Sequence, residues 1–269
     1  MAAWLAVASH GGVCVKPDQV RLRMNLDDPA TTLARKRLLQ NKRFLRLVYL
    51  DWYHHLLRAV PPDGGPVLEL GSGPGFLPDV MPDVITSEVL PLPHVGVVLD
   101  ARHLPIREGS LRGIVMTDVL HHIADVRSFL REASHAVRPG GVIAMIEPWR
   151  TPWSEWVYRR LHHEPFDPHT SRWEFPSTGP LSSANGALPW ILFERDRETF
   201  EKEFSSWNIE EIRLMMPLRY LLSGGFSAAS LQPGFTHGLW RHVESLLESW
   251  NRSLAMFAFI LLRRGYPRS

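Results

Sequence analysis

Residues 66–76 read Pro66-Val67-Leu68-Glu69-Leu70-Gly71-Ser72-Gly73-Pro74-Gly75-Phe76. A short apolar run ends in three glycines at alternate positions. That pattern predicts a buried strand that stops abruptly and lets its backbone approach a ligand closely. Glu69 stands two residues before the first glycine. A carboxylate there is poor core filler, because a buried charge needs partners. Two uses fit it: fixing the glycine turn by accepting backbone N–H bonds, or holding a cationic group of a ligand.

Working outward, Pro61-Pro-Asp-Gly-Gly-Pro66 separates this strand from a helical pattern over 32–59, in which Leu45, Val48, Trp52 and Leu56 share one stripe. The first half of that helix carries Arg35, Lys36, Arg37, Lys42, Arg43 and Arg46 with no acid among them. They read either as a solvated basic face or as a face for anionic lipid or a phosphorylated substrate. After Gly75, Pro78 and Pro82 allow only a short helical piece. Val84–Glu88 then reads as a second strand and Val95–Asp100 as a third. Leu111–Thr117 reads as a fourth, Val126–Val137 as an amphipathic helix stopped by Arg138-Pro-Gly-Gly, and Val142–Pro148 as a fifth strand ending beside Glu147. Strands alternating with helices predict an α/β fold with a parallel sheet. Beyond Pro148 come a possible-helix pattern rich in Trp and Arg (149–163), a proline- and glycine-containing surface segment (164–190), a charged helix (195–204) and two late strands, 209–216 and 253–262, with a Gly/Ser turn and a helix (239–250) between them.

Composition narrows the classes. The 269 residues suffice for one large α/β domain, and 45% are hydrophobic. The formal net charge of +2 argues against a dedicated nucleic-acid binder. Cys14 is the only cysteine, which excludes an intrachain disulfide scaffold or a multi-cysteine zinc site. The N-terminus lacks a basic leader region, and the apolar run 254–262 is too short to span a bilayer, so the reading is a cytoplasmic protein without a transmembrane segment.

The dinucleotide fingerprint needs glycines at its first, third and sixth positions. Here the sixth is Phe76, and the pattern is instead acid-x-Gly-x-Gly-x-Gly from Glu69 to Gly75. With Glu88, Asp100-Ala-Arg-His-Leu-Pro, Asp118-Val-Leu-His-His-Ile-Ala-Asp and Leu130-Arg-Glu-Ala…Arg138-Pro-Gly-Gly, the chain resembles a class I S-adenosylmethionine-dependent methyltransferase. More narrowly it is similar to the small-molecule branch that includes the ubiquinone- and menaquinone-type enzymes. The resemblance covers about residues 63–150 well and the two late strands loosely. It implies a Rossmann-like sheet, mostly parallel with one antiparallel strand, flanked by helices and carrying a helical and aromatic lid. It divides the chain into an N-terminal helical cap (1–62) and a methyltransferase domain (63–269), with a cofactor core over 63–150 and a substrate and lid region over about 151–208 and 217–252.

The resemblance also implies roles around S-adenosyl-L-methionine. Gly71, Ser72, Gly73 and Gly75 lie under the methionine part, and Glu69 fixes that turn. Glu88 hydrogen-bonds the ribose, Asp100 approaches the adenine amine beside the Ala101 backbone, and Met116 and Thr117 line the methionine moiety. The chemistry agrees: ribose hydroxyls and an exocyclic amine are donors, and carboxylates at strand ends accept from them. One departure is the short, proline-interrupted link from Gly75 to Glu88, where the family usually has a full helix.

A hydroxyl acceptor needs its proton removed, commonly by His or a carboxylate. His122, Glu147 and His121 are the candidates, since they follow the fourth and fifth strands. No metal is expected; the pairs His54-His55, His121-His122 and His162-His163 have no third ligand at a convincing spacing in sequence. Trp149, Trp153, Trp156, Trp173 and Trp190 read as core packing or as a wall for an apolar, isoprenoid, lipid-linked or glycan-precursor acceptor. The basic stretch 35–46 suits a phosphorylated acceptor or peripheral membrane contact. Two other readings stand beside the methyltransferase. One is a non-catalytic binding protein on the same fold. The other is a nicotinamide-dependent oxidoreductase, which Phe76 and the absence of a Tyr-x-x-x-Lys pair disfavour.

Overall fold

A computed structural model describes residues 25–161, 164–177 and 179–266. Cys14, the first part of the expected N-terminal cap and the pair His162-His163 lie outside the described residues. Two helices open the described chain, α1 (Pro29–Asn41) and α2 (Arg43–Ala59). The predicted single helix is broken at Lys42, whose backbone (φ −89°, ψ 83°) leaves the helical region. Asp28 caps α1, its side chain accepting the Ala30 N–H at 2.9 Å.

The remaining elements are β1 (Val67–Leu70), β2 (Val84–Glu88), β3 (Val97–Val98), β4 (Leu111–Thr117), α3 (Val126–Ala136), β5 (Val137–Pro148), α4 (Pro152–Leu161), α5 (Arg197–Glu203), β6 (Trp207–Met215), α6 (Arg219–Ser223), α7 (His237–Leu246) and β7 (Phe257–Arg264). The strands form one sheet in the order β3-β2-β1-β4-β5-β7-β6. β1 to β5 run parallel, and β7 is antiparallel to both neighbours. This is a Rossmann-like α/β sheet, flanked by helices, with one reversed strand. Strand order reverses between β1 and β4, and the crevice at the carboxyl ends of such strands is where open α/β sheets bind ligands.

Side chains alternate across the sheet and feed two cores. On β5, Ile143 and Met145 join α3, Trp173, Trp207 and the helical turn at Leu188, whereas Val142, Ala144 and Ile146 join α2 through Leu45, Val48, Trp52 and Leu56. The predicted stripe of α2 is therefore a core face, with all four of those residues fully buried.

Several local expectations change. Arg138-Pro-Gly-Gly does follow the helix end but is no loop: β5 begins at Val137, paired with Leu111, and the register shifts before Val142 meets Gly113. Gly140 takes a positive φ of 77° within that irregularity, which is why two glycines stand there. The segment 164–190 is not merely surface, because Trp173, Asn185, Ala187 and Leu188 are buried. The Gly75–Glu88 link holds only a single 3-10 turn, Leu77–Asp79, yet β2 stays in register with β1 through Val67↔Val84. Among the described residues, no helix is long and apolar enough to cross a membrane.

Candidate active site

The carboxyl ends of β1 to β4 open into one cavity of about 1380 Å³ including its mouth. Of the residues picked from sequence, Gly71, Gly73, Glu88, Asp100, Ala101, Thr117 and His122 line it.

The floor is the turn after β1. Gly71 and Gly73 have φ of 64° and 45°, the left-handed region in which a side chain is strained. A Cβ on Gly71 would lie 2.6 Å from Val119 Cγ2, whereas one on Gly73 would meet only Gly71 O and Glu88 Oε2, at 3.7 and 3.8 Å. The first glycine serves packing; the second keeps the cavity floor bare beside a carboxylate. Ser72 N–H donates to Ser87 O at 2.9 Å and ties the turn to β2.

Glu69 fixes this turn by a different bond from the one anticipated. Its Oε2 accepts the Ser72 hydroxyl at 2.6 Å. Burial pushes its carboxyl up to about 7, against the Ser72 bond and the nearby Lys36 ammonium. Glu69, Ser72 and Gly75 line a separate side pocket instead of the main cavity, and Lys36 Nζ closes on Gly75 O at 2.7 Å.

Glu88 stands at the end of β2, buried, with Oε2 accepting Gly73 N–H at 3.0 Å and Oε1 accepting Val89 N–H at 2.7 Å. Burial raises its pKa; the backbone donors oppose that. The carboxylate links the glycine turn to β2 and still borders the cavity. Asp100 lies beyond β3 and is gripped by Arg102, with Nη2–Oδ2 at 2.6 Å and Nε–Oδ1 at 3.0 Å. That guanidinium lowers the Asp100 pKa and holds it ionised.

Past β4 the chain turns on Asp118, a non-glycine residue with φ of 63°. Such a conformation costs roughly 1–3 kcal/mol and persists where its surroundings demand it. They do so here through Glu147. Its Oε1 accepts the N–H groups of Val119 (2.8 Å) and Leu120 (2.7 Å), and its Oε2 lies 2.8 Å from His121 Nδ1. Glu147 and His121 are fully buried and do not line the cavity. Of the three proton-transfer candidates, only His122 does. Burial lowers its pKa to about 4, so the ring is neutral at pH 7. Asp118 lines the cavity as well, its carboxyl raised to about 7 by burial. Met116 belongs to the core beneath.

Arg35, from the basic stretch read in the sequence, also lines it, and sequence reasoning did not single out Tyr49, Arg102, Asp118, Glu164, Tyr220 or Phe226. Asp118 and Arg102 sat in quoted motifs. Glu164, Tyr220 and Phe226 come from distant loops and carry no local signal. Of the predicted lid, the loop after β6 contributes Tyr220 and Phe226, while none of the five tryptophans lines the cavity. Trp149 and Trp173 are core, and Trp153 donates to Pro217 O at 3.0 Å while stacking on Trp156. Nor is the stretch 35–46 an open basic face. Lys36 binds Gly75 O, Lys42 binds the carbonyls of Gly225 and Ala228, Arg46 lies 4.0 Å over the Phe76 ring, and Arg35 packs over Phe226. Arg37 and Arg43 remain exposed.

Comparison with known proteins agrees with this geometry. Residues 68–145 match the family described as "Methyltransferase domain". No curated protein matches the chain in sequence. Among solved structures, a protein described as a methyltransferase, in complex with the Haloferax volcanii Trm112 methyltransferase activator, is 14% identical with a TM-score of 0.53, over 92% of this chain and all of that one. Geranyl diphosphate C-methyltransferase from Streptomyces coelicolor A3(2), solved with Mg2+, geranyl diphosphate and S-adenosyl-L-homocysteine, is 12% identical with a TM-score of 0.50, over 82% of each chain. The chain thus carries an S-adenosylmethionine-dependent methyltransferase domain: an enzyme, with S-adenosylmethionine as its cofactor.

Proposed function

We propose that this methyltransferase acts on a small molecule with a proton-bearing nucleophile and a compact apolar or aromatic body. One observation carries the proposal. The cavity is lined by two chemically distinct groups, the glycine turn with Glu88 and Asp100, and Asp118, His122 and Glu164 with the rings of Tyr49, Tyr220 and Phe226.

The first group fits the cofactor. The bare Gly73 floor admits its amino-acid portion, Glu88 would accept from the ribose hydroxyls, and Asp100 with the Ala101 backbone would meet the adenine amine. When bound, S-adenosylmethionine supplies an electrophilic methyl group, and its transfer leaves S-adenosylhomocysteine. The second group serves the acceptor. The rings of Tyr49, Tyr220 and Phe226 exclude water and fit an apolar body. Arg35, at 5.6 Å over Phe226, offers a cation to an anionic group of the acceptor. Asp118, on the cavity wall beside His122 and Glu164, is the group to which the acceptor proton is lost. Glu147 and His121 position these residues through the N–H groups of Val119 and Leu120 and do not touch the acceptor. Holding acceptor and methyl donor in line in this way can supply roughly 7–11 kcal/mol of barrier reduction.

An isoprenoid or other phosphorylated acceptor is one member of this class. Geranyl diphosphate is the ligand of one structural neighbour, and Arg35 would suit a phosphate. The test is incubation of the protein with cell extract and methyl-labelled S-adenosylmethionine, followed by untargeted mass spectrometry. One small product gaining a labelled methyl group, and losing it with Asp118→Asn, supports the reading. Label appearing only in protein or RNA contradicts it.

A further inference from the structure

The chain turn after β4 gathers two imidazoles and a carboxylate in a way that methyl transfer alone does not require. His121 is fully buried. Its Nδ1 sits 2.8 Å from Glu147 Oε2, and Glu147 is itself fixed by two backbone N–H groups. This contact pairs Nδ1 with Glu147 and leaves Nε2 aimed away from it. That buried Nε2 has no hydrogen-bond partner among the described residues. It lies 3.5 Å from Glu164 Oε2 and 4.0 Å from Asp118 Oδ1. His122 is arranged in parallel. Its Nδ1 faces the Ser183 carbonyl at 3.1 Å, an acceptor only, and its Nε2 is 3.9 Å from Glu164 Oε1. Ligand-capable atoms of His121, His122 and Glu164 all lie within 4.8 Å of one another.

We propose that His121 Nε2, His122 Nε2 and the Glu164 carboxylate bind one divalent transition-metal ion, with Asp118 beside it and the remaining coordination positions facing the cavity.

Three features distinguish this arrangement from an ordinary ion-pair network. First, each histidine has its far nitrogen tied to a fixed acceptor, a carboxylate or a carbonyl, which is how metal-ligating histidines are oriented and kept basic. Second, two imidazoles and one carboxylate form the ligand set of open catalytic zinc and non-haem iron sites, in which further positions are left for water or substrate. Third, the spacing fits. Ligand atoms about 2.0–2.2 Å from a tetrahedral ion lie about 3.3–3.5 Å apart. The two His–Glu164 separations, 3.5 Å to Oε2 and 3.9 Å to Oε1, approach that, and all three ligand atoms lie within 4.8 Å of one another.

Position gives the ion a role, and this step rests on the methyltransferase reading above. His122, Glu164 and Asp118 line the cavity within the group that serves the acceptor. An ion held there selects acceptors that present a chelating oxygen or nitrogen, so the substrate class narrows to hydroxyl-, catechol- or carboxylate-bearing molecules.

The experiment uses the full chain after treatment with chelator, titrated with Co2+ alone as a spectroscopic probe. One Co2+ per chain is expected, with visible ligand-field bands of four- or five-coordinate character. Glu164→Gln and His122→Ala should each weaken binding at least tenfold. Glu147→Gln, which acts through His121, should weaken it roughly 10–100-fold. Melting temperature checks that each variant folds, and Glu164→Gln, close in shape, keeps the test valid where a histidine variant does not. No Co2+ binding to the wild type, or binding unchanged in Glu164→Gln, overturns the proposal and leaves a proton-bridged His–Glu network. Cobalt binding without S-adenosylhomocysteine binding would uphold the metal site while the methyltransferase reading fell; the reverse would do the opposite.

Discussion

Replacing Glu69 with Gln removes a buried carboxyl whose proton binding differs between the folded and unfolded chain. The unfolded carboxyl titrates near 4.5, and the folded one, desolvated under the glycine turn, near 7. Between those values the folded state holds more protons. Raising the pH through that window therefore lowers stability, and the contribution is complete only below about 4.5. With these two values, linkage gives a loss of roughly 2–3 kcal/mol between pH 5 and pH 8, most of it before pH 7. Glu69→Gln keeps an oxygen for the Ser72 hydroxyl, which now sits 2.6 Å from the carboxylate, but it cannot titrate. Asp118, also raised to about 7, contributes with the same sign in both proteins and cancels in the difference. Urea unfolding at pH 5, 6, 7 and 8 measures the effect. The stability of Glu69→Gln relative to wild type should rise across that range by roughly 2–3 kcal/mol. A difference that stays constant within the error of the fits would refute the desolvation argument and mean that Lys36 and Ser72 fully compensate the charge.

Other outcomes follow from the same geometry. Gly71→Ala places a Cβ against Val119 in a left-handed conformation and should cost about 2–4 kcal/mol in thermal or urea unfolding. Val119→Ala should restore the steric part and leave the strain of about 1–2 kcal/mol. Gly73→Ala meets only ordinary contacts and should cost less stability, but it should weaken S-adenosylhomocysteine binding in calorimetry more than its stability cost suggests. Arg219 joins Glu244, Asp51 and His237 under the loop that carries Tyr220. Arg219→Ala leaves the buried Glu244 carboxylate without its cation and should destabilise by about 3–5 kcal/mol, with a raised KM for the acceptor as Tyr220 loses its support.

What the sequence shows and what it hides divide along a physical line. Gly71, Gly73, Glu88 and Asp100 are legible because each sits at a fixed distance from a strand end, and a parallel sheet brings strand ends together whatever the loops do. Glu69 reads as either a turn-fixing acid or a holder of a cationic group, and in the structure it accepts the Ser72 hydroxyl within the turn. The acceptor-facing group is built otherwise. Arg35, Glu164 and Tyr220 meet only through tertiary packing of three separate segments, and no local pattern announces such a meeting. The tryptophans leave two uses open for a related reason: a large ring fills a core between sheet and helix as readily as it walls a pocket, and Trp149 and Trp173 do the former. The proximity of Glu164 to His121 and His122 is hidden in the same way, because Glu164 is more than forty residues from His121.

The most direct measurement is calorimetric titration of S-adenosylhomocysteine into the wild type and into Glu88→Ala and Asp100→Ala. One site per chain is predicted, with both variants folded and each weakened at least tenfold. No binding to the folded wild type, or binding unaffected by both substitutions, would contradict the assignment of the cofactor to the strand ends around Gly71 and Gly73.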